Sequence, residues 1–114
     1  MGLYITMRDV RGAIVRDLPD PFGGTFDASG DFDELLGRGA CPMLNAIDLY
    51  GMTTLGSSEM AGVVHEVDAL LAAIPEVDRV AGRKGSAWRG LTRFRVMAAM
   101  CGADNCLTLR FDGD

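Results

Sequence analysis

Leu3, Ile5 and Met7 alternate with Tyr4, Thr6 and Arg8, the period of two expected of a strand with one buried face. After a turn around Arg11-Gly12, the segment from Ala13 to Leu18 continues the apolar run, and the pair predicts a hairpin. Pro, Gly, Asp and Ser dominate from Pro19 to Gly30 and predict a loop. Asp31 to Arg38 reads as a short helix, with Asp31 as N-cap, Glu34 at the third helical position and Gly39 as the stop. Weak alternation over Leu44 to Tyr50 predicts a third strand, terminated by Gly51.

The strongest periodicity lies between Ser57 and Ile74. Met60, Val63, Val64, Val67, Leu70, Leu71 and Ile74 recur at spacings of three and four along one helical stripe, and His65 lies on the opposite side. Ser57 or Ser58 can cap this helix and Pro75 ends it. A charged connection, Glu76 to Gly85, leads to a second helix from Ser86 to Cys101, whose inner face carries Ala87, Leu91, Phe94, Ala98 and Cys101. Trp88 and Met97 lie at the edge of that face, and Arg89 and Arg93 one turn apart on another. Leu107, Leu109 and Phe111 alternate with Thr108 and Arg110 and predict a final strand. The order ββαβααβ predicts an α+β fold over residues 1–114: a single two-layer domain with a mostly antiparallel sheet of about four strands and helices packed on one face.

A hydrophobic fraction of 48% and a charged fraction of 24% in 114 residues fit a chain that folds around its own core. No segment approaches the roughly 18 apolar residues of a membrane helix, and the first residues do not follow a secretory signal, so no membrane association is expected. Cys41, Cys101 and Cys106 are an odd number, read as reduced thiols in a cytoplasmic setting. Ten arginines against one lysine suit a high-GC bacterial genome.

Net charge is −5, which disfavours nucleic acid as a partner. Its distribution is uneven. Six acids and no base lie between Asp17 and Glu34, and six bases and no acid between Arg79 and Arg95. Trp88 and Phe94 interleave with the bases, a pattern that could serve single-stranded nucleic acid, but both aromatics have apolar roles on the helix face.

Candidate chemistry is sparse. A zinc site needs clustered Cys and His, and the chain has one histidine, so no metal and no cofactor are expected. Asp27, Ser29, Asp31 and Asp33 space oxygens as a calcium loop begins, but Gly30 is at the fourth position and Arg38 stands where a bidentate glutamate belongs. Gly56-Ser57-Ser58-Glu59-Met60 lacks the flanking glycine of a nucleophile elbow, and Cys41 has no histidine nearby in sequence. No catalytic residue is assigned, and Walker and dinucleotide fingerprints are absent.

The stretch Ile47-Asp48-Leu49-Tyr50-Gly51-Met52-Thr53 before a long helix, with Phe111-Asp112-Gly113-Asp114 at the end of the chain, resembles a family of small uncharacterised bacterial proteins. These carry Ile-Asp-x-Tyr-Gly-x-Thr before the helix and Phe-x-Gly-Asp in the last strand. The resemblance implies a shared fold and no particular reaction; Met52 stands where the family carries an acidic residue.

The leading expectation is a non-catalytic protein-binding or regulatory module, immunity- or antitoxin-like by analogy of size and acidity, whose interface holds Trp88, Arg89 and Arg93. Its partner would be another protein or a second copy. One rival is a small-ligand binding protein with a pocket near Asp48, Tyr50 and Thr53; another is an enzyme of unrecognised type.

Overall fold

The computed structural model describes residues 3–15, 25–27, 41–48 and 50–113 of the chain. The expected helix from Asp31 to Arg38, the calcium-like spacing beyond Asp27 and all six acids of 17–34 except Asp27 lie outside those residues, as does Asp114. Three strands form an antiparallel sheet: β1 (Leu3–Arg8), β4 (Thr108–Gly113) and β3 (Met52–Gly56), with β4 between the other two. A three-residue segment inside the expected loop, β2 (Thr25–Asp27), pairs antiparallel with Tyr4 to Thr6 of β1.

The alternation in β1 and β4 sorts their faces. Leu3, Ile5, Met7, Leu109 and Phe111 are buried, and in register with them Leu55 of β3 is buried too. The other face carries Tyr4, Thr6, Arg8, Met52, Thr54, Thr108 and Arg110. Thr6 is nonetheless buried, with the Arg8 guanidinium donating to its Oγ1 at 3.0 Å.

The return arm of the expected N-terminal hairpin is reduced, among the described residues, to one isolated bridge between Arg8 and Ile14. Its turn is built as the sequence suggests. Asp9 Oδ1 accepts the amides of Arg11 and Ala13, and Gly12 takes a φ of +79° that a side chain would strain.

The third strand lies elsewhere than expected. The described residues between Leu44 and Tyr50 are not extended: Pro42–Asn45 forms a short helix, α1, followed by a turn, and the strand begins at Met52. Leu44 and Ile47 are both buried, and their spacing of three is that of a helical turn and not of a strand. Pro42 at the first helical position pre-sets φ and surrenders an amide that no helix would satisfy there.

The long helix follows its stripe. A 3-10 turn over Ser57–Glu59 feeds α2 (Met60–Ala72), in which Met60, Val63 and Val67 are buried, Val64, Leu70 and Leu71 pack partly buried against the core, and His65 is exposed. Ile74, just past the helix, is buried as well. The second helix, α3 (Gly82–Ala103), starts four residues before the expected Ser86 and ends two after Cys101. Its first turn was hidden by charge and glycine: Gly82 enters at φ +73°, and Gly85 lies where a Cβ would be 3.1 Å from the Val80 carbonyl carbon. Ala87, Leu91, Phe94, Met97, Ala98 and Cys101 turn inward and join the sheet residues in one core cluster.

Candidate functional site

Asp48, Tyr50 and Thr53 come together in the turn that launches β3. Asp48 Oδ1 accepts the Tyr50 amide at 2.8 Å, closing an Asx turn, and the Asp48 amide donates to Thr53 Oγ1 at 2.9 Å. Gly51 completes the turn. A Cβ there would lie 2.6 Å from Asp48 Oδ2, and the Gly51 carbonyl accepts the Gly113 amide at 2.7 Å. The Asp48 carboxylate and the Thr53 hydroxyl are therefore engaged in ordering the entry to β3, while the Tyr50 side chain stands 75% exposed.

The basic segment forms a second cluster. The Arg79 guanidinium lies over the Trp88 ring, 3.9 Å from its centroid, and Arg79 Nε donates to the Ile74 carbonyl at 3.1 Å. That arrangement seals a half-buried tryptophan beneath a cation. Val77 and Val80, on either side of Arg79 in sequence, are 82% and 79% exposed. Arg89 and Arg93 are exposed on the same helix, and Arg89 Nη2 reaches Ser86 Oγ at 3.4 Å. Two further bases are neutralised. Lys84 pairs with Asp78 at 3.3 Å, and Arg95 pairs with Asp68 at 2.5 Å, a hydrogen bond that holds the Asp68 carboxyl below its usual range.

Sequence reasoning missed Glu66. It lies on α2 beside Val67 and is buried, and its two oxygens accept the amides of Met43 and Leu44 at 3.0 and 2.9 Å. One turn earlier, Gly62 leaves room for Met43, since a Cβ there would fall on the Met43 sulfur. Gly62 and Glu66 thus form the seat of α1. A signal existed: a lone acid whose neighbours four residues away on either side, Gly62 and Leu70, are both apolar.

An open groove of about 600 Å³ runs between the start of α2 and the end of α3, lined by Ser57, Met60, Ala61, Val64, Ala98 and Gly102 among others. The helices approach closely there. A Cβ on Gly102 would be 3.0 Å from Met60 Cβ, and Ser57 Oγ donates to the Gly102 carbonyl at 3.3 Å. Among the described residues no three His, Cys, Asp or Glu side chains are placed to share a metal ion.

Burial separates the cysteines. Desolvation, reinforced by Asp104, pushes the Cys101 thiol up to about 11; burial and then Glu66 raise that of Cys41. Cys101 holds its proton more tightly folded than unfolded, so its contribution to stability is complete below pH 9.0 and disappears as pH rises through about 11. A water-soluble disulfide reagent at pH 8 should modify exposed Cys106 at once and Cys41 and Cys101 only on unfolding. Mass spectrometry of the quenched reaction reads this, and equally rapid labelling of Cys101 would contradict the packing at the end of α3.

Comparison with family models, curated proteins and solved structures finds no match for this chain.

Proposed function

We propose that this chain is a non-catalytic protein-binding or regulatory module: one two-layer domain over residues 1–114, its helices covering one face of a four-stranded sheet. Its working surface is the start of α3 with the connection before it. The observation that carries this reading is the Arg79 guanidinium over Trp88, with Val77 and Val80 exposed beside Arg79 in sequence and Arg89 and Arg93 exposed on the helix that carries Trp88. Apolar anchors rimmed by arginine are the composition that carries binding energy at protein interfaces. The arginines select an acidic protein surface and accelerate encounter with it, while exclusion of water from the exposed valines holds the complex.

The setting is cytoplasmic, where the three free thiols stay reduced. Immunity and antitoxin-like proteins work in this way and supply the functional analogy, by size and acidity alone.

Affinity capture from the host, with wild type and an Arg89→Glu, Arg93→Glu variant as baits, tests the reading. Wild type should retain a specific acidic protein that the variant loses, and retention should fall as salt rises. Recovery of the same proteins at the same yield by both baits would remove this surface from consideration.

A further inference from the structure

Arg79 is held at three places and open at a fourth. Its amide donates to the Glu76 carbonyl at 3.2 Å, closing the short turn that precedes it. Its guanidinium carbon lies 3.9 Å from the centroid of the Trp88 ring, and its Nε donates to the Ile74 carbonyl at 3.1 Å. The open place is the pair of terminal nitrogens. Neither Nη1 nor Nη2 meets an acceptor among the described residues, and no buried side-chain nitrogen or oxygen among them lacks a partner, so this edge of the half-buried side chain reaches solvent.

The surroundings do not supply its counter-ion. Asp78, the preceding residue, pairs with Lys84 at 3.3 Å, Asp68 pairs with Arg95, and Asp112 with Arg110. No ion pair among the described residues includes Arg79. Of the five N–H donors of its guanidinium, the fold uses the one on Nε.

We propose that Arg79 is a carboxylate receptor: an aspartate or glutamate side chain of the partner protein binds end-on to Nη1 and Nη2. This role rests on the surface at the start of α3 being a protein interface, and it names the chemistry that the surface recognises. The geometry selects a carboxylate. A guanidinium offers two bidentate edges, one made of Nε with a terminal nitrogen and one made of both terminal nitrogens. Ile74 takes the first, and the second matches the two oxygens of a planar anion. The contact with Trp88 and the bond from Nε hold the side chain in place, so little rotamer freedom is lost when the carboxylate arrives. Charge points the same way. Residues 79 to 95 carry six bases and no acid, a local excess that draws a single carboxylate, whereas the net charge of −5 opposes the approach of a polyphosphate backbone. Val77 and Val80, exposed two residues before and one after Arg79, suit apolar residues beside the acid in the partner.

Trp88 is the only tryptophan of the chain, so its indole resonance reports on this site. The probe is the peptide acetyl-Leu-Asp-Glu-Leu-amide, with acetyl-Leu-Asn-Gln-Leu-amide as its uncharged counterpart, each titrated into the full isotope-labelled chain at fixed ionic strength. The acidic peptide should shift the Trp88 Nε1–H and Arg79 Nε–H resonances and bind at least about tenfold more tightly than its counterpart. Arg79→Lys keeps the charge and removes the fork. Circular dichroism should show this variant folded, and it should lose most of that preference. If it unfolds, the wild-type resonances decide. Equal shifts with both peptides, or a preference that folded Arg79→Lys retains in full, overturns the assignment. Inorganic phosphate should leave both resonances in place, and a shift as large as that from the acidic peptide overturns the choice of a carboxylate. A host protein that the Arg89→Glu, Arg93→Glu bait loses but an Arg79→Lys bait holds at full yield would leave the interface standing and overturn the receptor. Failure to capture any host protein, with the peptide preference intact, would count against the interface while the receptor stands.

Discussion

Replacing Phe94 by alanine should destabilise the protein by about 3–5 kcal/mol, the range for removing a fully buried aromatic ring. Phe94 is completely inaccessible at the middle of α3 and meets Phe111 of the central strand edge to face, with ring centroids 5.7 Å apart and planes at 90°. Three losses coincide: the transfer of the ring out of water, the aromatic contact, and the void left between helix and sheet, which the neighbouring Leu91 and Leu109 cannot fill without leaving their own sites. Domains of this size are stable by only about 5–15 kcal/mol, so a large share of the total is at stake. Urea unfolding with an unchanged slope and a much lower midpoint is the expected record. A loss under about 1 kcal/mol would mean that α3 does not pack on β4 through this ring.

Converting Glu66 to alanine should cost about 3 kcal/mol, because two amides that now meet a carboxylate would be left without an acceptor at the start of α1. The effect should be local in a way that the loss of Phe94 is not. Hydrogen exchange at Met43 and Leu44 should accelerate, while the core of α2, at Val63 and Val67, keeps its protection at low denaturant. Glu66→Gln separates charge from shape. The amide keeps one acceptor oxygen but turns an NH₂ group toward a backbone donor, so it should recover only part of the loss. Full recovery by glutamine would show that the second hydrogen bond contributes nothing.

Much of the fold was legible where burial is one-sided and periodic. The 3.6-residue stripe from Met60 to Ile74 and the alternation of Leu3, Ile5, Met7, Leu109 and Phe111 each predict an element that is present, because burying one face leaves a period in the sequence. β3 left no such trace. Only Leu55 among its five residues is buried, so there was no alternation to read, while Ile47 and Leu49 on either side of Asp48 gave a false one in the sequence. What converts that stretch into helix and turn is a carboxylate 22 residues downstream of Leu44, an interaction that no local pattern contains. The start of α3 was hidden for a similar reason, since Gly82 and Gly85 are poor markers of a helix, and the ion pair of Lys84 to Asp78 and the close approach of Gly85 to Val80 lie outside the helical pattern. At the candidate sites the sequence located residues but not their engagements. Nothing in the spacing of Asp48, Tyr50 and Thr53 announces an Asx turn, and nothing around Trp88 says that Arg79, nine residues earlier, covers its ring.

The central position of β4 has a consequence for how the protein comes into being. β1 and β3 both pair with β4, so Leu3 must find Gly113 and Leu55 must find Leu109 before β1 and β3 belong to one sheet. Closing so long a loop is entropically costly and slow compared with forming either helix. During synthesis β1 and β3 leave the ribosome long before the strand that joins them. Until β4 follows, β1 and β3 wait unjoined, and the nascent chain is exposed to mispairing until β4 emerges.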